Sequence, residues 1–439
     1  MATASHIQLS STEHPEYFRV GKSQGSVDTA SGLLQKNHDD FHIFFNQKGF
    51  HNHTAHHIIT LWALGASPDQ LEQAYNNHAS YQRAMGEPDA AVVKDMKDPL
   101  TFREHINQEQ HYTDYLALFQ SEIEATSWPA VVKKYLLARD DRADDLLCRF
   151  FAGFLHPIIH AGFGIETKQP AIVAEGLAMA AVSSGYMSSY FLPIENLSQK
   201  NKDEPSRSIV DLLDIIHEDI ELRAAPHWDD DNKLRDGIIA RAGDKMISVA
   251  SQFRVKSGEL ERKTAEMTNA AVYYTAGAQR ETHERKYDFY YMHCVNCTIF
   301  YSAFLKADWL SEANKIRLLE YKVWNDLAMY ASRKSPDIRM DLVRQYKPKV
   351  PSGWDGIIDR VNAMVDDDGH ASKLIRALAH GQEICRPYED RPEFRVKQSD
   401  WIQMGHMAID STENKNPTWI RSAGFDEAWE KIPLLKAQL

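Results

Sequence analysis

The sequence predicts an all-α fold, a large single helical domain over residues 1–439, on three observations. Apolar residues recur at three- and four-residue intervals in several long segments, which is the repeat of one helix face. Short alternating runs bounded by turn residues, the mark of strands, are scarce. No fixed-period repeat and no low-complexity linker divides the chain.

Taken in order, residues 54–64 read as a helix, with Asn52 or Thr54 as its N-cap and Gly65 at its end. Ser67-Pro68-Asp69 opens the next, with a capping hydroxyl and a proline where the first helical N–H lacks a partner anyway. The pattern continues in DYLALFQSEIEA (114–125), SRSIVDLLDIIHEDI (206–220), TAEMTNAAVYYTAGA (264–278) and NKIRLLEYKVWNDLAMYAS (314–332). The polar stretch ENLSQKNKDEPSRS (195–208) is the expected loop, an excursion rather than a domain boundary, and the chain ends are expected to be less ordered. The most apolar stretch, AIVAEGLAMAAVSSGYMSSYFLP (171–193), is interrupted by Glu175 and several Ser and Gly. It therefore reads as a buried helix and not as a membrane span.

A net charge of −12 without a concentrated Lys/Arg block argues against a nucleic-acid or anionic-membrane partner and fits a protein handling a small molecule. Four cysteines in 439 residues suggest a reducing, cytoplasmic setting with no disulfide framework. MATASHIQLS lacks the charged and apolar regions of a secretion signal, and the terminal AQL only faintly resembles a peroxisomal address.

Histidine is the outlier, at 20 residues, and it falls in blocks. FHNHTAHH (50–57) holds His51, His53, His56 and His57. On a helix His53 and His57 share a face with Leu61 and Leu64, while His56 points elsewhere. FLHPIIHAGFGIE (154–166) places His156 near a helix start opened by Pro157, with His160 four residues on, in apolar surroundings. Buried histidines there must be hydrogen-bonded or coordinate something. His293 lies in the aromatic run KYDFYYMHCVNCTIF (286–300). Its lone CxxC lacks a second ligand pair for structural zinc, so Cys294 and Cys297 read as small buried thiols. In DDDGHASKLIRALAHG (366–381), Asp367 or Asp368 caps a helix that carries His370 and Lys373 on one face. Lys373 reads either as a solvated helix charge or as a ligand. Coordination requires burial to free its lone pair, or addition of carbon dioxide to make an anionic carbamate. The residues alone do not choose His53 over His57 or His156 over His160.

Together these blocks, with TLWALGASPDQLEQAY (60–75), HPIIHAGFGIE and DGHASKLIRAL (368–378), resemble the questin oxidase-like family of fungal polyketide-pathway enzymes over about residues 15–405. The resemblance implies oxidative opening of the central ring of an anthraquinone to a benzophenone carboxylate, with O2 and a non-haem iron, Fe(II). It also implies the ligand set: His53, His156, His293, His370 and a carbon dioxide-derived carbamate on Lys373. His160 then becomes a supporting candidate. Cys294 and Cys297 depart from the small or hydroxyl residues expected after the third histidine. Imidazoles with one anionic oxygen donor suit Fe(II) better than magnesium or calcium. Five ligands leave one octahedral position, so the aromatic substrate is expected to pack beside the metal, with Phe289, Tyr290 and Tyr291 as candidate walls.

Three other readings compete. The family likeness also allows an NADPH-dependent Baeyer–Villiger-type monooxygenase, or supply of electrons by a separate reductase. GFGIET (162–167) lacks the third glycine and the strand of a dinucleotide site. A metal-dependent hydrolase would use the His51-Asn52-His53 HxH, or His38-Asp39 as an HD pair, without the strand–helix repeats of the barrel scaffold. A non-catalytic helical binding protein would leave the histidine blocks unexplained.

Overall fold

In the computed structural model, residues 1–19, 21, 23–413 and 417–435 are described, and every regular element among them is a helix. The only pairing outside helices among these residues is a few isolated bridges, such as Phe44 with His51. The class is therefore all-α. The chain falls into two compact units: residues 1–188 with 358–376, and residues 189–357 with 377–439. The terminal AQL lies outside the described residues.

In the first unit, the N-terminal segment is tied down: Ala4, Ile7 and Leu9 are buried, and Ile7 N–H donates to Gln35 Oε1 at 2.7 Å. All ten residues of the Thr54–Ala63 helix are buried. Its start differs from expectation in one useful respect. The Asn52 side-chain oxygen accepts from Thr54 N–H at 2.9 Å, which makes His53 the N-cap residue. Ser67 and Gln70 form a reciprocal capping box on the Pro68–Ala79 helix, as the Ser-Pro-Asp start implies. The apolar stretch folds as the wholly buried Pro170–Val182 helix, Glu175 included. No single helix among the described residues is long and apolar enough to cross a membrane.

One local conformation positions the site. The Asp141–Phe150 and Ala152–Glu166 helices meet at 95°. At the corner Gly153, Phe154 and Leu155 are all left-handed, with φ of 54°, 57° and 69°. For the two non-glycine residues this conformation costs about 1–2 kcal/mol each. Regular helix resumes at His156, and Pro157 occupies its first turn, where the missing N–H is not needed.

In the second unit, the expected polar loop is shorter than its composition suggests. Residues 195–200 complete the Ser188–Lys200 helix, leaving 201–207 irregular. Tertiary bonding overrides local polarity here: Glu195 accepts from Arg317 at 2.8 Å and from Tyr321 OH at 2.6 Å, while Ile194 and Ser198 are buried. Ser208 and Ser311 cap the Ile209–Glu218 and Glu312–Ser332 helices, and Asp288 caps Phe289–Lys306.

Candidate metal centre

Three of the five candidate ligands converge inside the first unit. One ring nitrogen from each of His53, His156 and His370 lies within 4.8 Å of the others. His53 Nε2 and His156 Nε2 are 2.8 Å apart, and the His53 and His370 rings are 4.5 Å apart edge to face. At a metal–nitrogen distance of about 2.0–2.1 Å, two ligands at right angles would sit about 3 Å apart, so the first pair has the spacing of neighbouring ligands.

Each ring is aimed by its other nitrogen. His156 Nδ1 donates to the Gly153 carbonyl at 2.5 Å, a group delivered by the left-handed corner. His370 Nδ1 donates to Asp368 Oδ1 at 2.6 Å. An imidazole that donates from Nδ1 keeps its lone pair on Nε2, and such outer partners orient metal-binding histidines. His51 stacks on His156 at 3.9 Å, nearly parallel. A Cβ on Gly153 would come within 3.0 Å of the His51 ring. Gly369 is left-handed too, and a Cβ there would meet His57 Cβ at 2.9 Å. Asp367 caps the His370–Cys385 helix through Ala371 N–H and Ser372 N–H.

Burial, and then the electrostatic influence of His370 and Lys373, holds His53 well below the ordinary histidine pKa. A neutral imidazole offers its lone pair, and grouped imidazole nitrogens suit iron, zinc, copper or nickel. The donor set therefore fits a transition-metal ion.

Lys373 is buried, against the solvated alternative, at 4 % exposure. Burial pulls its pKa down to about 8, with Asp368 and Asp367 opposing. Its Nζ lies 3.4 Å from His56 Nδ1. From there a chain of side chains runs through the unit. His56 Nε2 is 3.0 Å from His160 Nδ1, and His160 Nε2 is 2.7 Å from Glu175 Oε2. Glu175 Oε1 is 2.7 Å from His38 Nδ1, and His38 Nε2 is 3.1 Å from Gln120 Nε2. Burial alone would raise Glu175, but His38 and the hydrogen bonds from both rings hold it at about 2.

His57 turns the other way, to His78 at 3.0 Å and Asp367 at 3.5 Å. Thus His53 and His57 do not act as one face, because His53 is the cap and His57 lies inside the helix. The suggested HD pair diverges: His38 joins Glu175, whereas Asp39 accepts from Gln35 at 2.9 Å. GFGIET lies within and just past the Ala152–Glu166 helix. Sequence reading missed Glu175 as a site-associated group, gave His38 only the role of an HD pair and set His56 on a different face. The available signal was Glu175, the only charge in the helical part of an apolar run.

His293 belongs to the second unit. It is buried on the Phe289–Lys306 helix, with Nδ1 donating to the Phe289 carbonyl at 2.6 Å. Tyr291 is core, donating to the Tyr330 carbonyl at 3.0 Å. The Phe289 and Tyr290 rings lie under the guanidinium groups of Arg421 and Arg333, at 4.0 and 3.7 Å. All four cysteines are free and buried. Burial, and then Asp326, raises the Cys294 thiol well above its usual value, and burial takes Cys297 to about 12. Since the thiolate is the reactive form, iodoacetamide at pH 8 is expected to label none of the four in the folded protein and all four after denaturation. Intact mass reads the count; rapid labelling of native Cys294 or Cys297 would contradict their enclosure.

Comparison with known proteins agrees with this architecture. Residues 50–378, from the first histidine block to the last, match the family model described as questin oxidase-like. The chain is 37 % identical over 444 residues to the Baeyer-Villiger oxidase ptaJ of Pestalotiopsis fici, covering 99 % of each protein. It is 35 % identical over 444 residues to the questin oxidase of Aspergillus fumigatus, covering 99 % of this chain and 100 % of that one. Oxidoreductase AflY of Aspergillus parasiticus is also 35 % identical over 444 residues, spanning 100 % of this chain and 88 % of its own length. With likeness running from end to end of both partners in such alignments, the chain belongs to the questin oxidase-like family of oxidoreductases.

Proposed function

We propose that this oxidoreductase opens the central ring of an anthraquinone-type polyketide with O2 at a non-haem iron, giving a benzophenone carboxylate in fungal secondary metabolism. The carrying observation is the convergence of the His53, His156 and His370 nitrogens, two of them aimed by a bond from the opposite side of the ring. These three would hold the metal, with His293 and a carboxylated Lys373 completing the set that the family resemblance implies. Bound Fe(II) would supply electrons to O2 beside the substrate.

The chain's own groups prepare the setting. The Gly153 carbonyl and Asp368 keep the His156 and His370 lone pairs on Nε2. The wholly buried Thr54–Ala63 and Pro170–Val182 helices exclude water from the region of the rings. Lys373, lowered to about 8, has an appreciable neutral fraction near neutral pH, as carbamate formation needs. Four buried free thiols support a reducing, cytoplasmic setting.

The test is turnover of an anthraquinone, or its hydroquinone, by metal-stripped protein. Activity is expected to vanish on stripping, to return with Fe(II) and not with Zn(II), and to consume dissolved O2. Undiminished turnover without metal sinks the reading. The relatives named as Baeyer-Villiger oxidase and monooxygenase favour a second one, oxygen insertion fed by NADPH or by a separate reductase. NADPH oxidation coupled to product by the isolated protein would decide for it.

A further inference from the structure

We propose that His51 is a substrate-positioning residue: its ring N–H holds an oxygen of the aromatic substrate, a quinone carbonyl or a phenolic oxygen, beside the three converging histidines. The inference rests on the reading of an anthraquinone-type substrate. It begins from a ring that packing fixes and that no hydrogen bond uses.

Three neighbours in the first unit hold the His51 side chain. Its face lies on His156, with ring centroids 3.9 Å apart and planes 3° from parallel. Phe44 meets it edge-on at 5.2 Å, and a backbone bridge joins the same two residues. Gly153 backs its edge: a Cβ there would stand 3.0 Å from Cε1 and 3.1 Å from Nε2. The surrounding rings each spend a nitrogen on a protein partner. His53 and His156 point one at each other, His56 pairs with His160, and His370 with Asp368. Neither His51 nitrogen has a hydrogen-bond partner among the described residues. The side chain is half-buried, and its nitrogens are not among the sealed polar atoms, so both stay open to a ligand.

A phenylalanine would stack on His156 as well and bring no polar atoms into a half-buried place, so stacking does not explain an imidazole here. In either protonation state an imidazole has at least one N–H, and an aromatic oxygen is the acceptor that such a substrate offers. The direction follows from the stack. The His51 N–H lies in the plane of its ring, and the His156 Nε2 lone pair lies in the plane of its own. With those planes 3° from parallel and the centroids 3.9 Å apart, an oxygen held by His51 stands about one ring thickness to the side of the plane in which His156 coordinates. His51 is also outside the group of three whose nitrogens converge. Its place suits it to seat the substrate next to the metal and not to bind the metal itself.

The test is anaerobic equilibrium binding of anthraquinone to the purified full-length protein, read by its near-ultraviolet absorbance. Anthracene, the same outline without oxygens, is the comparison ligand, read by its fluorescence. His51→Phe, which keeps the stack, is expected to weaken anthraquinone binding about tenfold, the loss of one hydrogen bond, and to leave anthracene binding and metal content unchanged. His51→Gln or His51→Asn, whose amide N–H falls near the Nε2 or Nδ1 position, is expected to recover part of the loss. Equal anthraquinone affinity in native protein and folded His51→Phe overturns the proposal. So does an equal loss for anthracene, which would reduce the ring's role to packing. A crystal of the native protein with anthraquinone needs no variant to fold: a ligand oxygen is expected within about 3.2 Å of a His51 nitrogen. A ligand seated without that contact overturns the proposal while the proposed substrate class stands. Absence of any anthraquinone binding by the native protein removes that class, and the positioning role with it.

Discussion

Lowering the pH of the metal-free protein from 7 to 5 is expected to cost it several kcal/mol of folding stability. Burial, and then Arg83, holds His42 at about 4. Burial followed by neighbouring positive groups takes His51 to about 3, and burial followed by His57 does the same for His78. In the unfolded chain these rings titrate near the ordinary value, about 6.5. Between about 6.5 and 4 the unfolded state therefore binds protons that the folded state refuses, and stability rises with pH. It is fully present above 6.5 and lost as pH falls toward the folded values. Each such ring contributes about 1.4 kcal/mol per pH unit inside the window. His38, raised by Glu175 against the pull of burial, acts only above about 6.5: its contribution is fully present below that and lost as pH rises through the folded value, so it leaves the slope between 6.5 and 5 unchanged. Urea or thermal midpoints at pH 7, 6 and 5 read the slope. A flat profile down to pH 5 would mean that the folded protein already accommodates the charges.

Gly369→Ala is expected to destabilise the protein by about 2–4 kcal/mol and to lower its metal content. The left-handed backbone, φ +87°, contributes about 1–2 kcal/mol of this. The rest comes from contact at 2.9 Å with His57 Cβ, an atom rooted in a buried helix that cannot swing aside; overpacking of this kind costs about 1–3 kcal/mol. Any relief shifts His370, the next residue. Gly258→Ala is the control: it is also left-handed, φ +79°, but has nothing within 4 Å, and should cost only the backbone part. Equal denaturation midpoints for the two variants would show that the space beside His57 gives way.

Much of the architecture was legible in the chain. The helix announced by Ser67 before Pro68 has that cap, because a cap is a local bond between residues three apart. The site was legible only in blocks. Spacing placed His53 and His57 on one face, and only the inward-turned Asn52 side chain makes His53 the cap and separates the two. The left-handed run at 153–155 has no local signal beyond one glycine, since Phe154 and Leu155 adopt it under tertiary constraint. The Glu175 chain joins residues from 38 to 373, a pairing that no window along the chain contains. The short polar loop failed for the same reason, as Glu195 finds its partners more than 120 positions away.

The first unit is discontinuous, closed by residues 358–376. On the ribosome, His156 emerges roughly 200 residues before His370. At about 5–20 residues per second that interval is about 10–40 s. During it the nascent polypeptide carries two of the three converging imidazoles, His53 and His156, and an unfinished apolar interior. Biogenesis therefore imposes a waiting period: the three-histidine cluster closes only after residues 358–376 have been made.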